Sequence, residues 1–117
     1  MVERFSPAWI EALDAAARDV EGTEERFVIQ QVVDDAAWHV VLGPEGVRVR
    51  PGTAQDADVT FTQDRATAEA VASGELSAST ALTTGRLTVR GATSKLTDHR
   101  HALARLDAAL RQVPVDA

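Results

Sequence analysis

The stretch from residue 57 to residue 91, ADVTFTQDRATAEAVASGELSASTALTTGRLTVRG, constrains the fold of this chain more than any other. Its opening run ADVTFT and its late run RLTVR both alternate apolar and polar side chains, so each predicts a strand with one apolar face. Between them, Asp64 and Ser77 are suited to begin two short helices, because a short oxygen-bearing side chain accepts hydrogen bonds from free backbone N–H groups. Gly74 and Gly85 are predicted to end these helices. The segment therefore predicts a strand, two short helices and a second strand.

The sequence before this segment predicts one helix followed by three strands. Ser6 and Pro7 indicate the start of the helix, with a capping hydroxyl and a proline at the first helical position. We expect Gly22 to end it. The three strands are predicted at residues 26–34, 37–42 and 47–50. The first is apolar on both faces, which is typical of a central strand, and the short turns between the three favour an antiparallel meander.

The sequence after residue 91 predicts a single helix over residues 94–113, because its leucines recur at helical spacing and His99 falls on the same stripe. The whole order of elements favours an α+β fold. We expect a five-stranded, mostly antiparallel sheet with the helices on one face.

This order of elements resembles the sterol carrier protein 2 (SCP2-like) lipid-binding family. The resemblance rests on the alternating run ADVTFT, on SGEL at residues 73–76 and on GRLTVRG at residues 85–91, and it is strongest over residues 57–91. It implies a single SCP2-like domain over residues 1–117. It also implies that the sheet and the helices enclose an apolar cavity that holds a hydrophobic small-molecule ligand.

The resemblance and the apolar faces of the predicted elements together indicate which residues contact that ligand. They come from three strands, from the two short helices and from the last segment, and they are Trp38, Val40, Val59, Phe61, Leu76, Leu82, Leu87, Val89, Leu96, His99 and Leu103. Each buried ligand methylene contributes roughly 0.8 kcal/mol, so binding requires no catalytic residue and no cofactor. The same side chains could instead pack on one another and fill the cavity.

The start of the last predicted helix is more polar than the resemblance implies. Lys95, His99 and Arg100 lie there, close to the positive end of the helix dipole. Cations at a helix N-terminus favour an anion. We therefore expect this region to bind a carboxylate or phosphate head group of the ligand.

Several classes of function have no support in the sequence. The formal net charge is −6, and no basic patch indicates a nucleic acid partner. The chain contains no cysteine, no phosphate-binding glycine motif and no Gly-x-Ser-x-Gly motif. His99 and His101 are two apart, so on one helix they point away from each other and cannot share a metal. We expect no catalytic residues, no metal and no cofactor.

The location of the protein is predicted from what its sequence lacks. No apolar run approaches the roughly 20 residues of a membrane-spanning helix, so stable membrane insertion is not expected. The first residues lack the apolar core of a secretion signal, and the last ones lack the Ser-Lys-Leu peroxisomal address. We expect a cytoplasmic, bacterial protein.

The function favoured by the sequence is binding, with intracellular transfer, of a lipid such as a fatty acyl chain, an acyl-CoA or a sterol-like molecule, without catalysis. Two alternatives stay open. One is an accessory or protein-interaction domain with a filled cavity. The other is a small enzyme acting on a hydrophobic metabolite through His99 or Asp98. The sequence leaves the ligand, the partner and the oligomeric state open.

Overall fold

The computed structural model describes residues 3–115 of the chain. The two residues at each end, on which the predictions about targeting partly rest, lie outside the described residues. The helices are α1 (Pro7–Ala17), α2 (Arg65–Ser73), α3 (Ala78–Thr83), α4 (Ser94–Asp98) and α5 (Arg100–Leu110). The strands are β1 (Phe27–Val33), β2 (Ala36–Gly43), β3 (Gly46–Pro51), β4 (Val59–Gln63) and β5 (Leu87–Gly91).

The five strands form one mixed sheet in the order β3-β2-β1-β4-β5. Strand β1 is central, as its two apolar faces predict. The pairs β1–β2, β2–β3 and β4–β5 are antiparallel, and the pair β1–β4 is parallel. The predicted meander and the predicted α+β fold with a mostly antiparallel sheet are both confirmed.

The parallel pair follows from the loop between β3 and β4, which crosses the sheet from its edge to its far half. Along this crossing, the Gly52 N–H donates to the carbonyl of Ala37 on β2. The Ala54 N–H then donates to the side chain of Gln30 on β1, at 2.7 Å. These bonds place the loop on the face of the sheet that carries Gln30 and His39, opposite to the helices. We call the helix-covered side the inner face.

The caps predicted from the sequence are confirmed at three helix starts. The side chains of Ser6, Asp64 and Ser77 accept hydrogen bonds from backbone N–H groups three residues later, at 3.2, 2.7 and 3.1 Å. At the end of α2, Gly74 adopts a φ of +86°, which a residue with a side chain rarely adopts. Local side-chain chemistry therefore determines where these helices begin and where α2 ends.

Helix α1 is held on β3 by a buried carboxylate. Asp14 is 8% exposed and accepts hydrogen bonds from the Val49 N–H at 2.8 Å and from two nitrogens of Arg48, both at 3.0 Å. The bond from Arg48 is the main reason why the pKa of Asp14 falls to about 2, although burial acts in the opposite direction. Asp14 thus fixes the position of α1 on β3.

The predicted end of the first helix is wrong. Helix α1 ends at Ala17, and the Val20 N–H then donates to the Ala17 carbonyl in a turn. Gly22 has a different role. A Cβ atom added to it would lie 2.0 Å from the carbonyl oxygen of Gly43. A glycine is needed there because the chain passes directly against the β2–β3 hairpin.

The prediction of one helix over residues 94–113 is also wrong. The chain forms α4 and α5, which are separated at His99, where φ is −108° and ψ is 18°. The ring Nδ1 of His99 lies 2.9 Å from the Lys95 carbonyl, which also accepts from the His99 backbone N–H. The ring itself stacks on Phe27, with centroids 4.7 Å apart. This side-chain contact with β1 accompanies the break.

Candidate functional site

The candidate ligand-binding surface is the apolar inner face of the sheet beneath the helices. Seven of the residues predicted to contact a ligand belong to one apolar cluster there. Three of them, Trp38, Val40 and Val59, are at most 7% exposed and form part of the packed core. The other four are only half-buried, and they are Phe61, Val89, Leu96 and Leu103.

The four remaining predicted residues lie in different surroundings. Leu87 is 5% exposed at the start of β5. Leu76 is half-buried just after α2, and Leu82 is 45% exposed on α3. His99 stacks on Phe27 at the break between α4 and α5. The structure therefore brings seven of the predicted residues together, while Leu76, Leu82, Leu87 and His99 lie outside the main apolar cluster.

Two of the half-buried residues, Phe61 and Val89, lie on the sheet itself, whereas Leu96 and Leu103 lie on α4 and α5. Phe61 and Val89 are directly opposite each other in the β4–β5 pair. On the other half of the sheet, α1 packs on β3, and Val47 and Val49 are at most 2% exposed. The inner face of β4 and β5 is thus less completely covered at Phe61 and Val89, and we call these two residues, together with the half-buried Leu96 and Leu103 of the same cluster, the apolar strip.

The sequence analysis missed two polar residues on the inner face. Gln31 lies between the inward residues Ile29 and Val33 on β1, and Gln63 follows Phe61 on β4. The Nε2 of Gln63 donates to the Oε1 of Gln31 at 3.4 Å. Counting every second residue along the first predicted strand would have found Gln31, whereas Gln63 lies one residue beyond the predicted run ADVTFT.

A cluster of three aromatic rings lies against the same face at the start of β2. Phe5, Trp9 and Trp38 have ring centroids 5.0 to 5.7 Å apart. The guanidinium of Arg65, at the start of α2, lies 5.1 Å from the centroid of Phe5. Edge-to-face and stacked aromatic pairs stabilise such a cluster beyond the burial of their surface. It joins α1 and α2 to the sheet beside the start of β2.

Two clefts in the structure have linings that mix polar and apolar surface. One, of about 420 Å³, lies between the approach to β1 and the α4–α5 break, and its lining includes Glu24, Glu25, Lys95, Asp98, His99, His101 and Arg105. The other, of about 790 Å³, lies along α2, and its lining includes Glu3, Arg4, Arg65, Glu69 and Glu75. Neither of these two clefts is lined by the apolar strip.

Two of the three residues of the predicted anionic head-group site, Lys95 and His99, line the 420 Å³ cleft together, but Lys95 is surrounded by carboxylates. The Nζ of Lys95 lies 3.0 Å from Asp58 and 3.5 Å from Glu25. The hydrogen bond with Asp58 raises the pKa of Lys95. Burial opposes ionisation of Asp58, but hydrogen bonds from the Val28 N–H and Lys95 lower the pKa of Asp58 overall. Arg100 donates to a backbone carbonyl at 3.3 Å. The charge of Lys95 is therefore already compensated by carboxylates.

Two further observations concern residues 3–115. No helix in this range is both long enough and apolar enough to cross a membrane. In the same range, no group of three or more His, Cys, Asp or Glu side chains has an arrangement that could hold a metal ion.

The architecture defines a class of small α+β domains in which helices cover one apolar face of a mixed five-stranded sheet. Within this class, the model of the SCP-2 sterol transfer family matches residues 8–104, and the chain belongs to that family. The resemblance inferred from residues 57–91 is thus confirmed. Membership supports lipid binding or transfer in general.

Solved structures show the same fold. A crystal structure of sterol carrier protein 2 is 23% identical, with a TM-score of 0.68, and the match covers 96% of this chain and all of that one. The protein TT1886 of Thermus thermophilus is 25% identical over 99% of this chain and 93% of its own, with a TM-score of 0.59. Palmitated SCP2L2 from Aedes aegypti is 19% identical over 86% of this chain and 94% of its own, with a TM-score of 0.57. No curated protein sequence matches the chain significantly.

Proposed function

We propose that this protein binds a lipid with a long apolar body, such as a fatty acyl chain, against the inner face of β4 and β5, and transfers it without chemical change. The observation that carries this proposal is the apolar strip, because its four side chains belong to the core cluster and yet remain only half-buried. Membership of the SCP-2 sterol transfer family supports the proposal. The palmitated relative from Aedes aegypti supports an acyl chain as the ligand.

The energy available to such a ligand is sufficient for tight binding. Each methylene moved from water into apolar surroundings contributes roughly 0.8 kcal/mol, so a chain of about ten contributes on the order of 8 kcal/mol. Part of this is offset by the loss of freedom of the ligand. A dissociation constant in the micromolar range or below is therefore expected for a long-chain fatty acid.

The short helices are the elements that we expect to move when the lipid enters. Helix α3 has six residues and α4 has five, and helices of this length are not stable without tertiary packing. Of the residues of α3, Ala81 is buried, whereas Leu82 is 45% exposed. Displacing α4 would move Leu96 away from the sheet, and displacing α3 would expose more of β5, which it contacts, while α1 would stay packed on β3.

A second candidate function is supported by a different observation. Trp38, Val40, Val59 and Leu87 are all at most 7% exposed, as they would be in a core without a ligand. Neither of the two clefts described above is lined by the apolar strip. An accessory or protein-interaction domain with a filled core would have these features.

Native mass spectrometry of the purified protein, followed by titration with palmitate, distinguishes the two candidates. The lipid-binding function predicts a copurified or added lipid bound at one per chain, with its mass unchanged after incubation. A protein that carries no lipid and binds no palmitate would refute it and favour the filled core. A change in the mass of the ligand would refute transfer without chemistry.

The position of the site is tested by two matched variants. Val89→Asp places an uncompensated carboxylate on the apolar strip, which is costly beside an apolar ligand. Val32→Asp makes the same change at a half-buried valine on the opposite face of the sheet. With folding checked by circular dichroism, only Val89→Asp should weaken palmitate binding, by at least tenfold. Equal effects of the two variants would contradict this position.

A further inference from the structure

The inner face carries two adjacent glutamines within a surface that is otherwise apolar. On the basis of the lipid-binding function proposed above, we propose that Gln31 and Gln63 form a subsite for an uncharged polar head group that both donates and accepts hydrogen bonds. A primary amide, an alcohol and an un-ionised carboxylic acid are groups of this kind.

The register of the sheet places the two side chains next to the apolar strip. Gln31 is paired with Phe61 across β1–β4 and with Trp38 across β1–β2. Gln63 is paired with Val33 on β1 and with Leu87 on β5. Strand residues on one face alternate with those on the other. The other inward positions of the five described strands are occupied by apolar residues or glycine.

The hydrogen bonding of the two amides is incomplete within the described part of the chain. Their mutual bond is 3.4 Å long, against the usual 2.9–3.0 Å for N–H···O, so it is weak. Residues 3–115 supply no other hydrogen bond to either amide, and in that range no buried side-chain polar atom lacks a partner. The amide atoms without a partner, Gln31 Nε2 and Gln63 Oε1, therefore lie in accessible space.

These two free groups have complementary chemistry. The Nε2 of Gln31 offers two N–H donors, and the Oε1 of Gln63 offers an acceptor. A head group with a C=O or hydroxyl oxygen and an O–H or N–H bond satisfies both at once. An ionised carboxylate would instead lose its water on a face where the described strands present no cation and where the guanidinium of Arg65 lies over the Phe5 ring, which is unfavourable. The subsite is thus expected to bind an amide or an alcohol more tightly than the ionised fatty acid of the same chain length, whose apolar chain still binds the apolar strip. This is the opposite of the anionic preference predicted from Lys95, His99 and Arg100.

The experiment compares ligands that have the same chain and different heads. Binding of dodecanamide, dodecan-1-ol and dodecane to the full chain is measured by displacement of the neutral dye Nile red. The variants are Gln31→Leu and Gln63→Leu, and the control is Gln30→Leu, the neighbouring glutamine on the opposite face of the sheet. Thermal unfolding confirms that all three fold.

The expected result is a selective loss. Gln31→Leu and Gln63→Leu should each weaken dodecanamide and dodecan-1-ol by about tenfold, the effect of one lost hydrogen bond. They should leave the affinity for dodecane unchanged or increase it. Gln30→Leu should not change the affinity for any of the three ligands.

Two results would overturn the inference in different ways. If dodecane binds but the inward variants affect the polar ligands no more than Gln30→Leu does, the subsite is wrong and the lipid-binding function stands. If the wild-type protein binds neither Nile red nor any of the three ligands, the lipid-binding function itself fails and the subsite fails with it.

Discussion

Replacement of the buried carboxylate under α1, Asp14→Asn, is predicted to lower the free energy of unfolding by about 2 kcal/mol at pH 7. The pKa of Asp14 is lowered from 3.8 to about 2 in the folded protein. A difference of nearly two pKa units corresponds to about 2.4 kcal/mol. We reduce this to about 2 kcal/mol because the side chain of Arg48 is 45% exposed and solvent screens the pair. The asparagine still accepts from the Val49 N–H, so the loss is mainly that of the charged bond with Arg48.

The effect depends on pH with a definite sign. A carboxylate whose pKa is depressed by folding stabilises the protein above its unfolded pKa, and that stability is lost as pH falls through the folded pKa. For Asp14 the window runs from near pH 4 down to about pH 2. Roughly half of the difference between wild type and Asp14→Asn should remain at pH 3.

Urea unfolding at pH 7 and at pH 3 measures this difference. Trp9 and Trp38 lie in one aromatic cluster beside α1, so their fluorescence reports on this region. The matched control is Asp107→Asn, which removes an exposed i,i+4 pair with Arg111 and should cost less than about 0.5 kcal/mol. A difference between wild type and Asp14→Asn that is the same at both pH values would refute the reasoning.

Three further predictions concern backbone and charge. Gly22→Ala should lower the free energy of unfolding by about 3 kcal/mol in a urea titration, because the added Cβ would meet the Gly43 carbonyl. Gly52→Ala, at a φ of +83° with open space around it, should lower it by about 1 kcal/mol. Equal losses in the two variants would contradict this explanation. Asp64→Ala should cost about 1 kcal/mol in the same assay, because α2 loses its N-cap bond; an unchanged midpoint would show that the cap contributes nothing. Lys95→Met should leave the dissociation constant of palmitate within twofold of wild type, because the charge of Lys95 is compensated by carboxylates. A tenfold weaker binding of palmitate in calorimetry would instead support the anionic head-group site.

The fold was predictable wherever adjacent residues carry the signal. Alternation along β4 and β5, and the caps at Asp64 and Ser77, are local patterns, and the structure reproduces them. The two wrong predictions, both of helix ends, occurred where contacts between residues distant in the chain determine the local structure. The break at His99 accompanies stacking on Phe27, which lies 72 residues earlier in the chain. Gly22 is a residue type that commonly ends a helix, but it is required here because the chain passes close to the carbonyl of Gly43.

The apolar residues of the candidate site were predictable from the sequence. Which of them are fully buried and which are half-buried was not. Periodicity places Val59 and Phe61 on one face, but it does not tell that Val59 is fully buried while Phe61 is half-buried. That difference depends on which helices cover each position. The charge of Lys95 is a similar case, because its partners Asp58 and Glu25 come from other parts of the chain.

The sequence by itself determined the order of the elements, the central position of β1, the mostly antiparallel sheet and the family. These depend on side-chain periodicity and on capping groups, which act over a few residues. Only the tertiary structure decided that Lys95 is paired with carboxylates and that the strip from Phe61 to Leu103 remains partly open. It also brought Gln31 and Gln63 together on the inner face. Packing and charge pairing join residues that are distant in the chain, so their outcome depends on how the helices cover the sheet.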